Sequence, residues 1–153
     1  MTLIILSLLI GIVAGLRTMT APAAVAVGAR YGAITVAGTP LAFMGYTWTP
    51  WIFCALAIVE LITDQLPTTP SRKVPVQFAA RILTGALSGA TLAAPQGSIV
   101  AGLIAGIIGT VIGTLGGAAF RARLAAAFGK DRPAALIEDI VAISAAALIV
   151  LAY

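Results

Sequence analysis

The chain has 153 residues, of which 61% are hydrophobic and only 9% are charged, and its formal net charge is +4. A soluble domain has roughly a quarter of its residues charged, because polar groups must cover its surface. The composition therefore excludes an ordinary soluble enzyme and predicts an integral membrane protein. The single cysteine, Cys54, excludes an intramolecular disulfide. The lack of histidine removes the commonest metal ligand and general base.

The apolar stretches predict an all-α membrane protein with about five transmembrane helices, each near the roughly 20 residues that a span requires. We place the spans at residues 2–27, 49–66, 76–94, 98–119 and 134–152, all in one membrane domain, 1–153. No basic residue precedes the first apolar run, so we expect a span there and not a cleaved signal peptide. Residues 31–48 are assigned to neither a span nor a loop, although Trp48 and Trp51 are typical of a membrane boundary.

The first span contains the deepest charge, Arg17, about 15 residues from its start. Thr20 is a suitable N-cap, and Pro22 is suited to the first turn of a new helix. We therefore predict a first helix broken near residues 15–20. The N-terminus of its second half would point a positive dipole into the break, which favours an anionic group or a carboxylate partner.

Further charges lie inside the later spans, where each costs roughly 2.5–3.5 kcal/mol on insertion scales. Two interpretations stand side by side. The first is a structural salt-bridge network in which Arg17 pairs with Glu60 or Glu138. The second is a hydrophilic pocket, open to the cytoplasm, that binds an ion or a small charged solute. The candidate binding residues are Arg17, Thr18, Thr20, Glu60, Asp64, Arg81, Glu138 and Asp139.

Glycines recur at spacings of three and four in three of the spans. Such stripes let helix backbones approach closely in lipid, within one chain or across a dimer. We expect helix packing at Gly11, Gly15, Gly85, Gly89, Gly102, Gly106, Gly109, Gly113 and Gly116.

A weak internal similarity relates residues 1–66 to residues 98–153, on either side of a central helix at 76–94. In each half a glycine-rich helix precedes one with two acidic residues. With five spans the halves would cross in opposite directions, as in the inverted repeats of transporters. The alternative is that any two glycine-rich membrane helices look alike.

The basic residues predict the orientation. With five spans, Arg72, Lys73, Arg121 and Arg123 fall on one side and Arg30 falls on the other. The positive-inside rule then puts the N-terminus in the cytoplasm and the C-terminus outside, in a bacterial inner membrane. No aromatic residues are interleaved with the basic ones, so we expect no nucleic-acid partner.

Three segments together resemble a bacterial family of small polytopic membrane proteins catalogued as domain of unknown function 4126. They are residues 15–22, residues 60–72 with Glu60 and Asp64, and the pair Glu138-Asp139. The resemblance covers nearly the whole chain. It implies a membrane class without an assigned activity.

Three functional hypotheses follow. The first is a membrane transporter or channel for an ion or small charged solute, functioning as a homodimer. The second is a structural or partner-binding membrane protein whose charges lock its helices together. The third is an enzyme acting on a lipid phosphate held by Arg72, Lys73, Arg81, Arg121 and Arg123, with Mg²⁺ on Glu60 and Asp64. We rank the enzyme last, because no nucleophile–base pair is recognisable, and we expect neither catalysis nor a cofactor.

Overall fold

The computed structural model describes residues 1–65 and 74–153, and the described residues form helices and no strand, which confirms the predicted all-α class. The helices are α1 (Thr2–Leu16), α2 (Thr20–Arg30), α3 (Thr49–Thr63), α4 (Pro75–Ala93), α5 (Ile99–Phe128) and α6 (Asp131–Leu151). Short 3-10 turns occupy Ala42–Gly45 and Ala94–Gln96. Predicted spans two to five overlap α3 to α6, and Leu66 lies outside the described residues.

Two of the described helices, α5 and α6, are long and apolar enough to cross a membrane, and not the five that we predicted. Helices α1 and α3 are apolar but have only 15 residues each, which is about 22 Å at 1.5 Å per residue. Length therefore distinguishes them from full spans.

The packing contacts of α1, α4 and α5 fix their directions. Gly11 lies against Gly106, and Gly15 lies against Gly113, so α1 and α5 run parallel. The inverted relation that we predicted between the two halves requires these helices to be antiparallel, so that prediction is wrong. By contrast, α4 is antiparallel to α1, because Arg81 meets the end of α1 while the Ser7 hydroxyl donates to the Gly89 carbonyl near its start.

The first helix ends where we predicted a break, but its second half turns back. Arg17 has an extended conformation (φ −136°, ψ 115°), and α2 begins three residues later at Thr20. Arg17 contacts Asp139 near the start of α6, whereas a Cβ on Gly28 would lie 2.8 Å from Val150 near its end. Helix α2 therefore runs along α6, antiparallel to α1, and a single first span over residues 2–27 is wrong.

The helices surround an apolar core that combines alanines with larger aliphatic side chains. Helices α4 and α6 both contact α1 and α2, and the core between these four includes Ile10, Val25, Leu92 and Ala146. Helix α5 packs outside α1, and α3 packs outside α2. At the start of α3, the buried Met44 anchors the 3-10 turn, whereas Trp51 is 65% exposed.

Because each helix runs opposite to the one before it, both chain termini lie at the same end of the bundle. The opposite end contains the α1–α2 turn, the start of α4 and the α5–α6 connection. We call it the charged end, because Arg17, Arg81 and Arg121 meet the acidic side chains there. The sequence predicted termini on opposite sides of a membrane, whereas the described bundle has both at one end.

Candidate charged site at the turn between α1 and α2

The α1–α2 turn exposes backbone groups that no helix satisfies. A helix leaves its first N–H groups and its last carbonyls without internal partners, with partial positive and negative charge respectively. Here the end of α1 and the start of α2 are separated only by Arg17, Thr18 and Met19. Pro22, in the first turn of α2, is compatible with a helix start because it needs no N–H partner there.

Glu60 of α3 binds the start of α2. Its Oε1 accepts a hydrogen bond from the Thr18 N–H at 2.7 Å, and its Oε2 accepts one from the Met19 N–H at 2.8 Å. The carboxylate therefore faces the positive end of the helix, as the sequence predicted for an anionic partner at the break.

Arg81 of α4 binds the end of α1 in the complementary way. Its Nη1 donates to the carbonyls of Gly15 and Leu16 at 2.9 and 3.0 Å. Its Nη2 lies 3.8 Å from Oε1 of Glu60. The two helix ends at the turn are thus each held by a side chain of opposite charge, and those side chains face each other.

Arg17 lies at the centre of the site, and its side chain is completely buried. It forms ion pairs with Asp64, which follows α3, and with Asp139 of α6. Its Nη2 also lies 3.8 Å from Oε2 of Glu138. Removing such a guanidinium would leave buried carboxylates without their partner, so this group is a strong constraint on the fold.

Arg121 of α5 connects the remaining acids. Its Nη1 lies 2.6 Å from Oδ2 of Asp64 and 3.6 Å from Oε2 of Glu138, and its Nη2 lies 2.5 Å from Asp131. Ion pairs thus join Arg17 and Arg121 to four of the acidic side chains, Asp64, Asp131, Glu138 and Asp139. The fifth, Glu60, pairs with Arg81, and both meet this group at the backbone of the α1–α2 turn. Together these side chains form the network at the charged end.

Among the eight predicted binding residues, six charged side chains converge in this network. Thr18 contributes a backbone N–H to it. Thr20 does not join: it is buried in α2 and lines an apolar groove of about 530 Å³ between α2, α3 and α6. The predicted set of binding residues did not include Arg121, Asp131 or Gln65. The Nε2 of Gln65 lies 3.3 Å from Oδ2 of Asp139. The position of Asp131 at the start of α6 was the only sequence signal for it.

A polar pocket of about 240 Å³ lies beside the network, between α3 and α4. Its walls combine polar groups with apolar ones. They are formed by Thr18, Met19, Leu56, Val59, Glu60, Thr63, Asp64, Gln77, Ala80 and Arg81. Glu60 and Arg81 both line this pocket, so a charged group inside it would lie beside their ion pair.

No protein-family profile, curated protein or solved structure matches the chain. The resemblance to the family of unknown function stays a prediction from the sequence.

The described residues include no group of three His, Cys, Asp or Glu side chains arranged to hold a metal ion. The carboxylates of Glu60 and Asp64, which the Mg²⁺ hypothesis requires, face N–H and guanidinium donors. Arg72 and Lys73, which the lipid-phosphate hypothesis requires, lie outside the described residues, and Arg123 is exposed.

The glycine stripes lie beneath the charged site. A Cβ added to Gly11, Gly15, Gly85, Gly89, Gly102, Gly106, Gly109 or Gly113 would overlap an atom of a neighbouring helix. Gly116 differs, because nothing lies within 4 Å of a Cβ there, so the packing predicted for it would have to be across a dimer and not within the chain. Close contact of α1, α4 and α5 therefore fixes the end of α1 and, with it, the α1–α2 turn.

Proposed function

We propose that the chain is an integral protein of the bacterial inner membrane. What supports this is the distribution of polarity in the fold. The carboxylates and three arginines are gathered in one network, while large apolar side chains such as Leu83, Val100 and Ile140 are 65–70% exposed. An exposed apolar surface of this extent has to be shielded from water, and the hydrocarbon of a lipid bilayer can shield it.

We further propose that the charged end faces the cytoplasm. That end has the exposed basic residues Arg123, Lys130 and Arg132, and the α3–α4 connection contains Arg72 and Lys73, whereas the other end has Arg30. Under the positive-inside rule both chain termini then lie outside. This replaces the cytoplasmic N-terminus that five spans predicted.

Within this frame we propose a transporter or channel for an ion or small charged solute, with the polar pocket as its binding site. The observation that carries the proposal is the α1–α2 turn, whose two helix ends are bound by Glu60 and Arg81, which also line an open pocket. In a membrane protein, non-helical backbone of this kind is tolerated where it lines a cavity or is buried in protein. Transporters place ion and substrate sites at these helix ends.

The test is flux through liposomes that contain the purified full-length protein. A trapped pH-sensitive dye reports proton movement, and a potential-sensitive dye reports any net charge movement in a panel of inorganic salts. Gln77→Leu changes the pocket wall, and Glu60→Gln changes the charge that faces it. Arg123→Gln, at an exposed position of the same end, is the matched control.

We expect flux with the wild-type protein and with Arg123→Gln, and a loss of at least tenfold with Glu60→Gln. Gln77→Leu should reduce flux without changing the unfolding midpoint. Folded variants that leave every measured flux unchanged would reject the transport proposal.

The second candidate function is a structural or partner-binding membrane protein. The observation in its favour is that the charges inside the bundle bind one another and the ends of α1 and α2. Co-purification of a stoichiometric partner, with no flux in liposomes, would favour it. We propose a homodimer in either case, and light scattering in detergent measures the mass. We expect no enzymatic activity.

A further inference from the structure

Helix α3 is attached to the bundle differently from the other helices. Its main contacts among the described residues are with α2 and with the 3-10 turn at Ala42–Gly45. Pro50 is its one buried residue, while Ile52, Val59 and Ile62 are each more than half exposed. Apart from α2 and the 3-10 turn, little apolar packing therefore ties α3 to the rest of the described bundle.

The far end of α3 is held by polar groups instead. Glu60 accepts the two N–H groups of the α1–α2 turn, and Asp64 contacts both Arg17 and Arg121. Gln65, just beyond the helix, donates to a carboxylate of α6 at 3.3 Å. One end of α3 is therefore tied through hydrogen bonds and ion pairs to α1, α2, α5 and α6.

The near end of α3 is anchored by packing. Pro50 is buried there, and the Thr49 hydroxyl donates to the Phe43 carbonyl at 2.6 Å. A helix fixed at its start by packing and at its end by polar groups can pivot when those groups exchange partners. The polar pocket lies beside this end of α3, since Glu60 and Asp64 belong to its wall.

We propose that α3 is the gate of the pocket, and that Glu60 and Asp64 form the latch that holds it closed. This inference rests on the proposed transport function, whose site it regulates. A charged solute in the pocket competes for Glu60 or for Arg81, the pair that closes the α1–α2 turn. Loss of the latch contacts releases the far end of α3 from α5 and α6, while its start stays in place.

The experiment measures distances between spin labels by double electron–electron resonance, in full-length protein reconstituted into lipid nanodiscs. Cys54→Ser first removes the native thiol. Ile62→Cys on α3 and Leu136→Cys on α6 form the gate pair; both positions are exposed and lie at the charged end. Leu83→Cys on α4 and Leu115→Cys on α5 form a reference pair, because these helices meet through glycines.

Each pair is measured with an intact latch, with Asp64→Asn, with Glu60→Gln, and with the exposed control Arg123→Gln. We expect the gate pair to shift to longer distances in both latch variants and to stay unchanged in the control. The reference pair should remain unchanged in all of them.

An unchanged gate pair in both latch variants would overturn the proposal. A shift of both pairs would also overturn it, because the latch would then hold the whole bundle and not α3 alone. Flux lost in Gln77→Leu, with no gate shift in the latch variants, would reject the gate and keep the transport proposal. A gate shift without any flux would reject the transport proposal, and with it the role of α3 as the gate of a transport site.

Discussion

Gly106 lies where α1, α4 and α5 meet, and its replacement by alanine tests the packing that supports the site. A Cβ at this position would lie 2.9 Å from the carbonyl carbon of Gly85, closer still to its oxygen, and 3.3 Å from the Cα of Gly89. Carbon atoms pack at about 3.5–4.0 Å, so α4 would have to withdraw from α5 by roughly 0.6–1.1 Å.

A withdrawal of this size would weaken every contact along the helix pair, because a gap of about 0.5–1 Å forfeits a quarter to a half of the dispersion attraction. Overpacking of a core typically costs about 1–3 kcal/mol. Alanine returns about 1 kcal/mol of helix propensity relative to glycine. We therefore expect Gly106→Ala to lower the free energy of unfolding by up to about 2 kcal/mol.

The matched control lies on the same helix. Gly116→Ala meets no atom within 4 Å, so it should keep or raise the free energy of unfolding, by up to about 1 kcal/mol. The assay is unfolding by sodium dodecyl sulfate in mixed micelles, followed by circular dichroism. Equal stability of Gly106→Ala and Gly116→Ala would refute the close packing of α4 and α5.

Three further predictions concern the charged end and the topology. Arg81→Gln should lower the free energy of unfolding by about 1–3 kcal/mol, because two carbonyls at the end of α1 lose their donor; a value near zero in the same assay would contradict this. Arg17→Met should lower the free energy of unfolding by about 3–5 kcal/mol, and the addition of Asp139→Asn to the same chain should recover part of that loss. A double variant that loses as much stability as the two single variants added together would count against the pairing of Arg17 with Asp139. Epitope tags at the two chain ends should react with antibody from the same side of intact spheroplasts, and reactivity of only one tag would contradict the antiparallel α1 and α2.

Much of the candidate site could be predicted from the sequence. A charge inside an apolar run is costly wherever the run ends up, so Arg17, Glu60 and Glu138 had to find partners or water. The partners themselves could not be predicted. Arg17 pairs with Asp64 and Asp139 because α1 ends beside the end of α3 and the start of α6.

Residues outside the apolar runs were harder to predict. Gln65 and Asp131 lie at helix ends, where polar residues are ordinary, so even the position of Asp131 at a helix start does not indicate that it pairs with Arg121. They belong to the network only because four helix ends and one turn meet at the charged end of the bundle. Spacing along one helix cannot report a neighbour on another.

Composition by itself determined the polarity of this protein: with 9% charged residues, much of its surface had to be apolar, and any charge inside an apolar run needed a partner or water. The glycine spacings likewise determined which faces of α4 and α5 meet. Only the tertiary structure decided that the chain turns back at Arg17. One apolar run of 26 residues can form either a single broken helix or two antiparallel ones with the same hydrophobicity. The choice depends on Glu60 and Arg81, which bind the two exposed helix ends from α3 and α4 and thereby stabilise the turn.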